Sequence, residues 1–321
     1  MKAKIAPRIT LKGRTKLETV IPLSTPYLVF LDPSDICNAK CAWCPTGSGE
    51  AKKYKKPQLM DYILYRKIID DLAAMPESIK VLRLYGDGEP LLNPCLPDMI
   101  QYAKHTGRFR QIDTTSNGIL LNEFFMVPNL IGAGLDKIFI SVPRGYTAEY
   151  VKSVRKMYER GRDRCHVLVK IIGDGLSNAA KEKFMRDFGD IADSIFIENL
   201  SPCWLGLEVE GVNQEKGIYG QPLTPAPMVC PYPFYSVKIN SDGSVSLCFL
   251  DYPHRMIIGD LKSESFKDIW NGEILRKYQV MHLSGKRDTH PFCSKCRQLV
   301  YGMPDVLDPY ADEILKKLLD K

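Results

Sequence analysis

The chain has 321 residues, of which 45% are apolar, and 44 Lys and Arg against 38 Asp and Glu give it a net charge of +6. This length and composition predict one large core with room for a small module, and they exclude a disordered protein. The charges are too evenly balanced to indicate nucleic acid binding. No run approaches the ~20 apolar residues of a membrane span, and residues 1–8 show no signal peptide, so we expect a cytoplasmic location.

Short β-branched runs alternate with amphipathic helical segments over residues 27–200. The predicted strands are 27–31, 81–85, 111–114, 137–141, 166–172 and 194–198, and the predicted helices are 62–74, 96–104, 122–131, 147–160 and 179–190. Six such alternations predict a parallel sheet covered by helices, because parallel strands need crossover connections. A complete barrel needs eight repeats. We therefore expect a partial (β/α)6 TIM-like barrel with its site at the carboxyl ends of the strands.

The pattern changes after Asn199. Prolines are frequent over residues 221–227, and two short apolar runs at 235–240 and 244–249 flank Asp242 and Gly243, a strong hairpin turn signal. Helices are expected at 265–282 and 308–321. The predicted organisation is an N-terminal extension (1–26), the barrel (27–200), a small hairpin-and-helix cap (201–300) and a C-terminal helix (301–321).

Seven of the ten cysteines form two groups. Disulfides do not explain them, because cytosolic thiols stay reduced and a core of this size needs no covalent staples. Metal or cluster ligation is therefore the leading interpretation. The first group, called the triplet below, is Cys37, Cys41 and Cys44, and the second, called the auxiliary cysteines, is Cys230, Cys248, Cys293 and Cys296.

The triplet has the spacing CxxxCxxC, directly after the first predicted strand. Three thiolates on one loop leave one iron of a 4Fe–4S cluster without a protein ligand. The alternative is zinc, which usually takes a fourth Cys or His nearby. With Trp43 just before its last cysteine, the triplet resembles the signature of the radical S-adenosylmethionine (SAM) superfamily. The resemblance implies that the open iron binds SAM and that reductive cleavage yields a 5′-deoxyadenosyl radical.

Further segments at predicted strand ends resemble motifs of the same superfamily. Gly86 to Glu89 is similar to its GGE motif, with Asp87 where glycine is common, and Glu89 offers an acceptor for the ammonium of SAM. Ser116 and Asn117 resemble its TNG-type segment. The cofactor contacts that the resemblance implies are Trp43, Gly86, Asp87, Gly88, Glu89, Ser116, Asn117 and Ser141.

The auxiliary cysteines are separated by 18, 45 and 3 positions. Four thiolates saturate a 4Fe–4S cluster, which then serves electron transfer rather than SAM binding. A structural zinc site remains the alternative. The hairpin cysteine, the following helix and the CxxC pair resemble the twitch domain, a shortened SPASM domain. One auxiliary 4Fe–4S cluster is therefore expected beside the radical SAM cluster.

The auxiliary spacing also resembles that of aminocyclitol dehydrogenases of aminoglycoside biosynthesis. This resemblance implies that a secondary alcohol of a sugar or aminocyclitol is oxidised to a ketone, with the auxiliary cluster as electron acceptor. Such a reaction needs a base near the substrate. The candidates at strand ends are Arg144, Lys170, Glu198 and Asp251, of which Lys170 and Asp251 are preferred.

Other reactions and one non-catalytic role stay open. An epimerase of the superfamily would use a thiol as hydrogen donor, and Cys203 is the best placed of the unassigned cysteines. Enzymes that modify ribosomally made peptides form a third possibility. A zinc or iron–sulfur protein that binds nucleic acid is the distant alternative. The resemblance also implies a flavodoxin- or ferredoxin-type electron donor.

Overall fold

A computed structural model describes residues 1–9, 13–122, 124–204 and 206–320. Its described strands form one sheet in the order β1-β7-β6-β5-β4-β3-β2-β8-β9-β10. The strands are β1 Lys4–Ile5, β2 Leu28–Leu31, β3 Ile79–Arg83, β4 Phe109–Ser116, β5 Lys137–Ser141, β6 His166–Ile172, β7 Ser194–Glu198, β8 Ser236–Ile239, β9 Ser244–Ser246 and β10 Ile257–Asp260. β2 to β7 pair in parallel, which confirms the partial barrel.

Helices connect these strands and cover the outside of the barrel. They are α1 Pro45–Ser48, α2 Tyr62–Ala73, α3 Leu96–His105, α4 Met126–Gly132, α5 Ala148–Gly161, α6 Asn178–Phe188, α7 Phe266–Trp270, α8 Glu273–Leu283, α9 Gln298–Tyr301 and α10 Ala311–Leu319. Local sequence sets several starts, because Asp61, Thr147 and Ser177 each accept a hydrogen bond from the first turn of the helix they cap. Residues 123 and 321 of two predicted helices lie outside the described residues, as do residues 10–12.

Strand alternation separates the core from the barrel interior. Outward-facing Val29, Leu82 and Ile112 are fully buried beneath the helices. Their neighbours Phe30, Arg83 and Gln111 line a central cavity instead. Because side chains on a strand alternate between faces, a strand can place aliphatic residues against the helices and charged residues inside the barrel.

The predicted hairpin and final helices differ in detail from the structure. β8 pairs in parallel with β2, so the hairpin continues the barrel sheet, and β10 adds a strand that the sequence pattern did not predict. The predicted helix 265–282 is two helices, interrupted at Asn271 and Gly272, where a Cβ on Gly272 would lie 2.9 Å from the carbonyl oxygen of Asp268. The division into four parts stays a prediction.

A second apolar cluster joins both ends of the chain to the hairpin region. It contains Leu17, Ile21, Val229, Phe234, Leu283, Leu307, Ile314 and Leu318. The extension also supplies β1, which pairs in parallel with β7 at the open edge of the barrel. Within the described residues, no helix has both the length and the apolar content to cross a membrane.

Candidate active site

The triplet lies on a loop that leaves β2 and packs against the next strand ends. The carbonyl oxygen of Ile36 accepts a 2.8 Å hydrogen bond from the backbone N–H of Glu89. A Cβ on Gly88 would lie 2.2 Å from the carbonyl oxygen of Ser34, so only glycine allows this approach. Gly47 is equally tight, because its Cβ would lie 2.5 Å from the backbone nitrogen of Cys41. Close backbone packing therefore fixes the loop that carries the thiols.

The triplet thiols are partly buried beside one another. Burial raises the pKa of Cys37 and Cys41, and it raises the pKa of Cys44 to about 11. No set of three or more Cys, His, Asp or Glu side chains in the described part of the chain is arranged to hold a single metal ion. A zinc ion needs its ligand sulfurs ~2.3 Å from one point. The described side chains do not meet this requirement as they are placed.

Glu89 holds the TNG-type segment beside the triplet. Its Oε1 accepts a 2.7 Å hydrogen bond from Ser116 Oγ, and its Oε2 accepts one of 2.8 Å from the backbone N–H of Asn117. The side chain of Asn117 in turn donates to Asn38 Oδ1 on the triplet loop at 2.7 Å. The structure thus brings together three predicted cofactor residues. A carboxylate has about four acceptor positions, so Glu89 keeps capacity for a ligand ammonium.

The side chain of Asp87 pairs with buried cations and does not face the central cavity. It is buried in an ion network with Lys55 (2.5 Å) and Lys238 of β8 (2.7 Å), and its side chain does not line the central cavity. Burial alone raises its pKa, but Lys238 and Lys55 outweigh burial and hold the pKa below its ordinary value. The cofactor contact of Asp87 stays a prediction; in this structure its carboxylate pairs two buried cations.

The central cavity, with a volume of about 780 Å³, occupies the barrel interior. Trp43 and Cys44 of the triplet loop line one end. Tyr232, Phe249 and Leu250 line the other, and these three side chains also line the cavity of the auxiliary cysteines. Gly86 and Ser141 lie in the wall, as predicted for cofactor contacts. A space of this size accommodates a small organic substrate between the two cysteine groups.

Lys170 lies in the wall of the cavity and forms a buried ion pair with Glu198 (2.8 Å) at the end of the neighbouring strand. Burial lowers the pKa of Lys170. Glu198 also pairs with Arg8 (2.9 Å); burial alone would raise the pKa of Glu198, but the two cations keep it low. The sequence did not indicate Arg8, because residues 1–26 carry neither a motif nor a periodic pattern. Pairing of β1 with β7 brings it to the site.

The other two candidate catalytic residues have different positions. Asp251 is fully buried outside the central cavity, and its carboxylate oxygens accept hydrogen bonds from the backbone N–H groups of Arg255 (2.8 Å) and Met256 (2.9 Å). It fixes a turn, and its role as a base stays a prediction. Cys203 lines the central cavity, and burial raises its pKa to about 11. Cys165, expected to be apolar core, is buried.

The four auxiliary cysteines line one cavity with largely apolar walls. Cys248 follows β9, and Cys293 and Cys296 lie on a short turn after α8. Arg287 supports that turn by donating a 3.0 Å hydrogen bond to the carbonyl oxygen of Cys293. Burial raises the pKa of all four thiols, that of Cys293 to about 12. Four converging sulfurs in an apolar pocket fit a fully ligated iron–sulfur cluster.

Comparison with known proteins agrees with this geometry. The model of the SPASM family, an iron–sulfur cluster-binding domain, matches residues 230–297, which contain all four auxiliary cysteines. An S-adenosyl-L-methionine-dependent 2-deoxy-scyllo-inosamine dehydrogenase of Niallia circulans is 22% identical over 273 residues, covering 85% of this chain and 93% of the relative. These findings support a radical SAM enzyme with a SPASM-type cluster domain.

Two further similarities extend over most of this radical SAM chain. A tungsten-containing aldehyde ferredoxin oxidoreductase cofactor-modifying protein of Pyrococcus furiosus is 24% identical, covering 84% of this chain and 86% of the relative. The crystal structure of BtrN in complex with AdoMet and 2-DOIA superposes with a TM-score of 0.60 at 20% identity, covering 84% of this chain and 92% of BtrN. The latter shows the shared fold.

The SPASM-type domain and the similarity to an S-adenosyl-L-methionine-dependent enzyme confirm the predicted cofactors, SAM and two 4Fe–4S clusters. The described residues fit them. The triplet would hold the first cluster with one iron open, and the auxiliary cysteines would hold the second. The individual SAM contacts, Trp43, Gly86, Gly88, Glu89, Ser116, Asn117 and Ser141, stay predictions.

Proposed function

We propose that this radical SAM enzyme oxidises a secondary alcohol of a sugar or aminocyclitol to a ketone. The observation that carries the proposal is the central cavity, which is lined by Cys44 of the triplet and shares Tyr232, Phe249 and Leu250 with the cavity of the auxiliary cysteines. When bound, SAM supplies a 5′-deoxyadenosyl radical that removes hydrogen, and the auxiliary cluster supplies an electron acceptor. Similarity to the 2-deoxy-scyllo-inosamine dehydrogenase supports this reaction class.

The residues of the chain then have to accept one proton. Conversion of an alcohol to a ketone removes one hydrogen atom from carbon, one proton from the hydroxyl group and one electron. Lys170 is the proposed base, because it lies in the cavity wall and burial lowers its pKa, which makes the neutral amine more accessible. Glu198 orients the amine through their 2.8 Å ion pair.

One observation favours a second candidate reaction, epimerisation. The thiol of Cys203 lines the same cavity, where it can return a hydrogen atom to a substrate radical. The two reactions differ in the mass of their product. Oxidation removes two hydrogens from the substrate, whereas epimerisation leaves the number of hydrogens unchanged. They also differ in their need for Cys203.

The test uses anaerobically reconstituted protein, SAM, a reductant and a panel of cyclitols, including 2-deoxy-scyllo-inosamine, in heavy water. We expect a ketone lighter by two hydrogens, formed at a similar rate by the native protein and by Cys203→Ala. A product of unchanged skeleton with one solvent deuterium on carbon, lost in Cys203→Ala, would establish the epimerase instead. Cys95→Ala is the matched control for the loss of a half-buried thiol.

The partners and the location belong to the same proposal. We infer a small carbohydrate-like substrate, and a peptide substrate is the alternative, because one solved relative, Streptococcus suis SuiB, was crystallised with its precursor peptide SuiA. A flavodoxin- or ferredoxin-type donor would deliver the electron for SAM cleavage in the cytoplasm.

A further inference from the structure

The central cavity is strongly basic. Among the described residues that line it, seven are Lys or Arg and two are Asp or Glu. Glu198 is shared by two of the cations, Arg8 and Lys170, and Asp305 pairs with Arg14 (3.2 Å). Lys238 and Arg83 pair with Asp87 and Asp113, which do not line the cavity, and the seven cations still outnumber these four carboxylates.

Three of the cations form a basic wall, defined as Lys80, Arg83 and Lys137. Arg83 of β3 and Lys137 of β5 are each in register with Asp113 of β4. Arg83, Asp113 and Lys137 therefore form one row across the sheet. Asp113 is fully buried, and its Oδ2 lies 3.4 Å from Arg83 Nε. One carboxylate thus faces two cations.

Neither lysine of the wall has a carboxylate oxygen of the described residues within ion-pair distance, although Asp113 is in register with Lys137. Lys137 makes no ion pair within the described part of the chain, and its Nζ lies 4.9 Å from the centre of the Phe139 ring. Lys80 Nζ donates to Thr15 Oγ1 at 2.9 Å and lies over the ring of Tyr27. Partly buried cations without counter-charges are costly, so a bound anion would stabilise this wall.

The basic wall is separate from the predicted SAM contacts. Lys137 begins β5 and Ser141 ends it, so four residues of extended strand place them about 13 Å apart. A group bound at Ser141 would therefore lie too far from Lys137 to form an ion pair with it. A substrate that spans this distance would present its reactive carbon near the predicted SAM contacts and a charged group to the basic wall.

We propose that the substrate of this enzyme carries an oxyanion, a phosphate or a carboxylate, that binds to Arg83 and Lys137. The inference rests on the proposed oxidation of an alcohol and narrows its substrate class. Guanidinium and ammonium groups bind these oxyanions through charge-assisted hydrogen bonds. Among sugars and aminocyclitols, this wall therefore favours those that also carry an anionic group.

The test measures binding rather than turnover. Reconstituted protein with SAM is titrated calorimetrically with inorganic phosphate, myo-inositol 1-phosphate, glucuronate and neutral myo-inositol. We expect at least one oxyanion to bind more tightly than myo-inositol, and Lys137→Gln to weaken it about tenfold, the value of one charge-assisted hydrogen bond. The affinities of myo-inositol 1-phosphate and glucuronate are then compared, and the tighter ligand shows whether the site prefers a phosphate or a carboxylate.

Two further variants complete the experiment. Lys277→Gln, an exposed lysine of α8, is the matched control and should leave binding unchanged. Lys137→Arg should retain most of the affinity. If no oxyanion binds better than myo-inositol, or if Lys137→Gln and native protein bind it equally, the proposal is overturned. Failure of the alcohol oxidation itself would appear separately, as a changed product mass in the turnover assay.

Discussion

Replacement of Lys238 by Met tests the ion network that joins the hairpin to the barrel. Lys238 is fully buried on β8, and its Nζ lies 2.7 Å from Asp87 Oδ2, which follows β3. Removal of one partner from a buried ion pair costs ~3–5 kcal/mol. Because Lys55 still pairs with Asp87 at 2.5 Å, we expect a loss of about 3 kcal/mol. In a chain of this length, such a loss lowers the melting temperature by about 5 °C.

The assay is anaerobic thermal unfolding followed by circular dichroism. Lys262→Met is the control, because this lysine is exposed and 3.7 Å from Asp260, and it should change stability by less than about 0.5 kcal/mol. The double variant Asp87→Asn, Lys238→Met should be less destabilised than the sum of the single variants, since they share one interaction. Equal melting temperatures for Lys238→Met and Lys262→Met would refute the reasoning.

Three other predictions follow from the site. Burial and repulsion by Asp87 raise the pKa of Asp32 to about 7. The protonated carboxyl group therefore stabilises the fold fully below about pH 4, and this stabilisation is lost as the pH rises to 7. Urea unfolding at several pH values should show this decline in the native protein and not in Asp32→Asn. Glu89→Gln should weaken SAM binding at least about tenfold in equilibrium dialysis, because the neutral amide keeps one acceptor oxygen for the three donors that Glu89 bonds, whereas exposed Glu149→Gln should not. Cys248→Ala should lower the iron content from about eight to about four per chain, with 5′-deoxyadenosine release retained. An iron content well below about four would show that both clusters depend on this residue, contrary to the prediction.

The sequence predicted the parts of the fold that depend on local pattern. Strands such as β5 and β6 are short runs rich in β-branched residues and were predicted with their observed limits. The triplet was recognisable because its thiols lie within eight residues of one another. In each case the information lies within a short stretch of chain.

Features set by distant contacts could not be predicted in this way. The pairing of β8 with β2 depends on a register between segments some 200 residues apart. Asp87 has a motif position typical of a cofactor contact, yet its environment is decided by Lys55 and Lys238, which are remote in sequence. The break at Asn271 and Gly272 did have a local signal, since an Asn-Gly pair is a turn former.

The central claim is that the triplet holds a cluster with one open iron at the mouth of the shared cavity. The most direct measurement is the release of 5′-deoxyadenosine by reduced, reconstituted protein, compared with that of Cys44→Ala. We predict release by the native chain and none by the variant, although the variant keeps its auxiliary iron. Zinc instead of iron at the triplet, or undiminished release without Cys44, would contradict the account.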